Sequence, residues 1–193
     1  TVGLYPMFAE NRRNERREDI LDIIEEKGFQ IENVMDYTSA EEAGLFLEGT
    51  GSIIMDRVNQ KAYCALSPRA DEGLFIEFCE DFEVFPVIFT AYQSVNGERL
   101  PIYHTNVMMC LAEGFAVVCL DTIDDRKERN NVVDHLKKDG YEIISITEEQ
   151  VHHFAGNMLQ VMGADEKRYL VMSSQAYYSL VDGQIQRIEN YCE

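Results

Sequence analysis

His104 opens the stretch YHTNVMMCLAEGFAVVCL, residues 103–120, and an imidazole in that place has two readings. Its near-neutral pKa suits a general acid/base at the rim of a site, and its type equally suits a satisfied histidine at the start of a buried strand. The local stretch leaves both open. The candidate nucleophiles are Cys64, Cys79, Cys110, Cys119 and Cys192. They form no C-x-x-C pair, and four lie in apolar runs, where inert buried thiols are usual. His152 and His153 are adjacent and would face opposite sides of a strand, so no metal site is expected from them. No glycine-rich phosphate loop and no serine in a nucleophile elbow occurs, and no cofactor is implied. Met108, Met109, Met158 and Met162 read as core filler.

Composition narrows the function classes. The 193 residues, 46% hydrophobic, suffice for one sizeable core or two small ones and exclude a disordered chain. A net charge of −18, from 35 acidic against 17 basic residues, argues against a nucleic-acid partner, because phosphate neutralisation needs clustered Lys and Arg. The acidity reads as a solubilising surface, so an anionic substrate would need its own local arginines. Unpaired cysteines suggest a reducing compartment, and with no apolar run of membrane-spanning length the expectation is a soluble, cytoplasmic protein without a membrane partner. The chain begins at Thr1 in what reads as a strand, Val2 to Met7, which suggests an internal piece of a longer protein.

The elements that would position His104 recur along the chain. Three segments share a small or polar opening followed by an apolar strand: EGTGSIIMDR from Glu48, HTNVMMCLAE from His104 and FAGNMLQVMG from Phe154, with Gly51, Asn106 and Asn157 equivalent. Turns marked by Asn59, Gly114 and Gly163 lead to second strands, AYCALSP, AVVCLDT and YLVMSSQ, so each pair reads as a hairpin. Helical spacing follows. Pro68 opens a helix whose stripe is Leu74, Phe75 and Phe78, and Asp124 and Asp125 start one carrying Val132, Val133 and Leu136, which Gly140 stops. Outgoing strands FEVFPVIFT and YEIISIT complete these units, and the chain start supplies the tail of an earlier copy: a strand, a helix from about Arg16 to Lys27 ended by Gly28, and the strand FQIENVMDY. The unit is strand, strand, helix, strand in about 50 residues, with copies at about 1–38 (partial), 46–91, 103–147 and 153–193 (partial) of a single domain. Such units close around an axis or stack, and closure would aim Glu48 and His104, at matching positions of adjacent units, into one volume.

The ordered strings YPMFAENRRNERR, FLEGTGSIIMDR, CALSPRADEG, YHTNVMMC and FAGNMLQVMG resemble the guanidino-group-modifying superfamily across nearly the whole chain. The chain looks most like its arginine deiminase-related amidinotransferases, and particularly the citrulline-hydrolysing type. The resemblance implies a pentein-type α/β propeller built from strand-strand-helix-strand repeats, here an incomplete ring truncated at both ends. It implies attack of a cysteine thiolate on a guanidinium or ureido carbon, with His104 as general acid/base and Glu48 as the carboxylate that orients the imidazole. Met7, Arg12 and Glu15 match the family's M, R and E spacing, so Arg12, which lies among Arg13, Arg16 and Arg17, and Arg69, isolated at a strand-to-helix turn, resemble the arginines that grip a substrate carboxylate.

Two departures qualify what is carried over. Arginine deiminases have H-x-D where this chain has His104, Thr105 and Asn106. An amide both donates and accepts, which suits the neutral ureido end of citrulline and implies citrulline hydrolysis to ornithine, ammonia and carbon dioxide. The family nucleophile is a cysteine in a glycine-rich segment near the C-terminus, and no cysteine here has glycine neighbours; Cys192, in IENYCE, continues a helix. The fragment itself is therefore expected to be inactive. The expected partner is a small molecule, citrulline or an arginine-like amino acid, and a homo-oligomer stays open. The alternatives are an arginine deiminase or amidinotransferase, and a non-catalytic pentein-fold binding module similar to the ribosome anti-association factors.

Overall fold

In the computed structural model, which describes residues 1–17 and 19–193, short sheets alternate with helices along the whole chain. β1 (Val2–Leu4), α1 (Asp19–Glu26) and β2 (Val34–Asp36) come first, with β1 and β2 paired in parallel. A single helical turn, α2 (Gly49–Ser52), leads into β3 (Ile53–Asp56), which forms an antiparallel hairpin with β4 (Lys61–Leu66). α3 (Glu72–Asp81) crosses back, so that β5 (Phe85–Thr90) pairs with β4 in parallel. After a separate hairpin of β6 (Tyr92–Val95) and β7 (Glu98–Pro101), the order returns as β8 (Met109–Ala112), β9 (Phe115–Val118), α4 (Arg126–Lys138) and β10 (Glu142–Ser145). α5 (Glu148–His152) precedes the last hairpin, β11 (Leu159–Met162) with β12 (Arg168–Val171), and α6 (Ser174–Ser179) and α7 (Asp182–Glu189) follow. Glu193 then begins to pair beside β12, exchanging backbone hydrogen bonds with Arg168 and Leu170.

The middle strands of the two three-stranded sheets explain the apolar runs. Residues 62–65 of β4 and all of β9 are fully buried, as strands covered on both faces must be. Alternate β4 residues serve two cores. Ala62 and Cys64 pack with Leu47, Phe75 and Phe78, whereas Tyr63 and Ala65 pack with Val87, Phe89 and Met108. Each of these large side chains contributes about 1.5–3 kcal/mol by leaving water. A mostly buried ion pair, Lys61 Nζ to Asp139 at 2.6 Å, ties the start of β4 to the residue that caps the end of α4.

Local chemistry sets the boundaries, and in several places it differs from the sequence expectation. Pro68 does not open α3. Ser67 and Ala70 close a tight turn, and the Asp71 carboxylate caps the helix by accepting from Leu74 N–H at 3.0 Å. Asp125 caps α4 in the same way, while Asp124 lies outside it and pairs with Arg99. The β6–β7 hairpin was not expected, although Asn96 and Gly97, both at positive φ, are a strong hairpin signal. α5 was also missed, despite the Thr147/Gln150 capping box. His152 therefore ends a helix and His153 caps it, rather than both lying in a strand. Cys192 lies beyond the end of α7, where the chain turns back toward β12.

β3 packs beside β8, and β8 beside β11. The segments that lead into these three strands consequently meet at one end, where Thr50, Asn106 and Asn157 line a shared cleft. No helix among the described residues is long and apolar enough to cross a membrane.

Candidate functional site

Glu48 stands just before α2 and β3, and His104 stands at the corresponding place before β8. Adjacency of β3 and β8 brings the two side chains together: His104 Nε2 lies 2.5 Å from Glu48 Oε2. Both are largely withdrawn from water, with side-chain exposures of 2% for Glu48 and 14% for His104. The carboxylate is compensated on every side. Oε1 accepts the Phe8 N–H at 2.9 Å, and Oε2 faces Arg69 Nη1 at 3.7 Å as well as the imidazole. A buried charge is tolerated only with such partners.

Arg69 is delivered by the Ser67–Ala70 turn, whose backbone is joined to Glu48 through Glu48 N–H to Arg69 C=O. Its guanidinium lies near two half-exposed aromatic rings, 4.9 Å from the centre of Tyr103 and 5.6 Å from that of Phe8. Cation–π contact with both rings holds the group without using its hydrogen-bond donors. Tyr103 also packs against the His104 ring, at 4.9 Å. Sequence reasoning passed over Phe8 and Tyr103, although each neighbours a residue that it singled out.

Burial lowers the pKa of His104 below its ordinary value; the Glu48 carboxylate opposes that, and the charges of Arg69 and Arg12 add to it. The resting pair at neutral pH is then a neutral imidazole donating Nε2–H to a carboxylate. Such a pair can accept a proton and hold it, since the imidazolium that forms has its counter-charge already in contact.

The remaining candidates are placed differently. Arg12 is exposed and forms a fork with Glu15, Nη2 to Oε2 at 2.8 Å, so it does not join Arg69, Glu48 and His104 in contact. Its neighbours Arg13 and Arg16 serve structure: both pair with Glu41, which also accepts the Met7 N–H. Asn106 lies in a short helical turn, Thr105–Val107, and lines the cleft between the lead-in segments. Its backbone carbonyl accepts from Asn157 Nδ2 at 3.1 Å. All five cysteines are buried and free. Burial pushes every thiol up, Cys119 to about 11 and Cys79 and Cys110 to about 12, so none of them is a ready thiolate. Among the described residues no group of three His, Cys, Asp or Glu side chains is arranged to hold a metal ion.

The sequence model of the family described as N,N dimethylarginine dimethylhydrolase, eukaryotic, matches residues 1–193. The chain belongs to this family. It lies within the guanidino-group-modifying superfamily that the motifs around Glu48 and His104 resemble. No curated protein sequence matches the chain. Among solved structures, the N-terminal domain of ArgZ, an arginine dihydrolase from the ornithine-ammonia cycle in Cyanobacteria, superposes with a TM-score of 0.70 at 16% identity, covering 99% of this chain and 61% of that one. AgrE in complex with L-arginine gives a TM-score of 0.69 at 16% identity, over 97% of this chain and 24% of that one. A dimethylarginine dimethylaminohydrolase, as an adduct with S-methyl-L-thiocitrulline, gives 0.53 at 16% identity, over 97% and 61%. These likenesses establish the α/β fold of the pentein structures. The chain spans less than two thirds of the length of each of these three solved chains.

Proposed function

We propose that this family member carries the proton-transfer and carboxylate-binding parts of a C–N hydrolase acting on the guanidino group of arginine or an N-methylated arginine. The observation that carries the proposal is the buried 2.5 Å contact of His104 with Glu48, with Arg69 in the same cluster. His104 would take the proton of a thiol as its sulfur attacks the central guanidino carbon, and the imidazolium so formed would give that proton to the departing amine. Water would then add to the covalent intermediate while His104 takes its proton, releasing the ureido product and the thiolate. Because Nε2–H is committed to Glu48, Nδ1 is the nitrogen that exchanges a proton with the reactants. None of the five buried thiols fits the nucleophile, so it is to be supplied from outside these 193 residues.

Arg69, held by Phe8 and Tyr103, supplies a fork for the substrate carboxylate. The propeller reading belongs here too. Adjacent first strands β3, β8 and β11, each at the start of a hairpin, support consecutive blades around an axis, with the cleft of Thr50, Asn106 and Asn157 at its mouth. The relatives' printed substrates, arginine and dimethylarginine, favour a cationic guanidino group over citrulline. Citrulline remains the second reading for one reason, the amide of Asn106 where arginine deiminases have a carboxylate.

The test is to assay the complete protein on arginine, N,N-dimethylarginine and citrulline in parallel, following ureido product, ammonia and methylamines. Turnover of a guanidino substrate, reduced about 10²–10⁴-fold by His104→Asn, supports the proposal. Release of ornithine from citrulline alone would move the assignment to the second reading. Tight binding without turnover of any of them would make it a binding module and refute the enzymatic reading.

A further inference from the structure

Among the described residues six polar or charged ones are buried, and two of them, Ser52 and Thr105, are hydroxyl residues with no exposure whose bonds run to the backbone around the site. We propose that Ser52 and Thr105 form a buried relay of positioning residues that fixes Glu48, Arg69 and His104 in one geometry, an inference that rests on the site reading above. The Ser52 hydroxyl accepts the Glu48 N–H at 3.2 Å and donates to the Arg69 carbonyl at 2.9 Å. One oxygen thus spans the backbones of two of the three site residues. The Ser52 carbonyl in turn accepts from the hydroxyl of Thr105, the residue after His104. Thr105 Oγ1 closes the chain by accepting the Ala65 N–H of β4 at 2.8 Å.

Each hydroxyl donates once and accepts once: a methyl group in place of the Thr105 hydroxyl takes away the donor to the Ser52 carbonyl, and one in place of the Ser52 hydroxyl leaves Glu48 and Arg69 joined only by their direct N–H to C=O bond. The relay crosses from the β3 lead-in to the β8 lead-in, which is the boundary that the imidazole–carboxylate contact also crosses. Gly51 completes the arrangement from the other side. A Cβ there would sit 2.9 Å from His104 Cε1 and Nδ1, so only glycine lets the α2 backbone lie against the ring. The imidazole is therefore held by Glu48 at Nε2, Gly51 against its ring face, Tyr103 at its flank and Thr105 through the chain.

The test reads the imidazole in the complete protein by nitrogen-15 NMR, where a slowly exchanging Nε2–H of His104 reports its bond to Glu48. Ser52→Ala and Thr105→Val are expected to lose that signal while the backbone amide spectrum stays folded, and Thr105→Ser, which keeps the hydroxyl, is expected to restore it. In the complete enzyme the same two variants should lower kcat about 10–100-fold with KM nearly unchanged, because misplacement of the acid/base group costs the chemical step. If Thr105→Val does not fold, Ser52→Ala decides alone. An Nε2–H signal unchanged in Ser52→Ala, or lost in Thr105→Ser as fully as in Thr105→Val, overturns the relay. Absence of turnover on every guanidino substrate would defeat the functional proposal and leave the NMR result standing, so the two failures are distinguishable.

Discussion

Replacing Glu48 by Gln keeps the shape of the side chain and removes its charge, which isolates what the carboxylate does for His104. The contact is short at 2.5 Å and both side chains are mostly buried, so the pair has the character of a charge-assisted hydrogen bond little screened by solvent. Such a bond contributes about 1.5–3 kcal/mol net. A double-mutant cycle of Glu48→Gln and His104→Asn, measured by urea unfolding, should therefore give a coupling energy of about 1.5–3 kcal/mol, the same in low and in moderate salt. The charge balance gives a second readout. With the carboxylate gone, burial, Arg69 and Arg12 all disfavour the imidazolium, so the His104 titration midpoint in Glu48→Gln moves further down. A coupling energy indistinguishable from zero with a midpoint that does not move would show that the two groups do not act on each other, and a midpoint that rises would contradict the charge balance; either would remove the physical basis of the site.

Three further outcomes follow from the structure. Removing one partner of the mostly buried Lys61–Asp139 pair, as in Asp139→Asn, should cost about 3–5 kcal/mol by denaturant unfolding, and the double replacement Lys61→Met/Asp139→Leu should recover much of it; equal losses would contradict the burial argument. Stability should fall on acidification: burial holds the folded-state pKa of both His104 and His135 below the ordinary 6.5, so their contribution is complete above pH 6.5 and is lost as pH falls through the folded values. Urea midpoints measured from about pH 7.5 to about pH 5 should show this slope, flattened in His104→Asn/His135→Asn, and an equal slope in that variant would count against it. Finally, the five thiols should resist a thiol-reactive dye in the native state and all react in denaturant, whereas rapid native labelling of any one would contradict their burial and raised pKa values.

Much of the fold was legible because its signals are local. The middle strands announced themselves as continuous apolar runs, Gly28 and Gly140 stopped helices where positive φ was needed, and Asp125 marked a helix start. The misses were local signals left unread, as with Asn96–Gly97 and the Thr147 capping box, or competition between two signals, as where Asp71 rather than Pro68 begins α3. The site was legible in its residue types and in the matching positions of Glu48 and His104 within adjacent units. Nothing in the spacing of Glu48 and His104 states that their atoms lie in contact, because that depends on β3 packing against β8.

The sequence by itself determined the unit of strand, strand, helix and strand, the residues able to do chemistry, and the want of a reactive thiol setting around any cysteine. Tertiary structure alone decided which of the arginines meets the carboxylate. Arg69 is carried there by a turn bonded to the Glu48 backbone, while Arg12 is taken by Glu15 three residues along its own helical turn. Local hydrogen bonding and periodicity are written within a few residues of one another. Charge compensation in a buried site is settled only when separate units pack and exclude water.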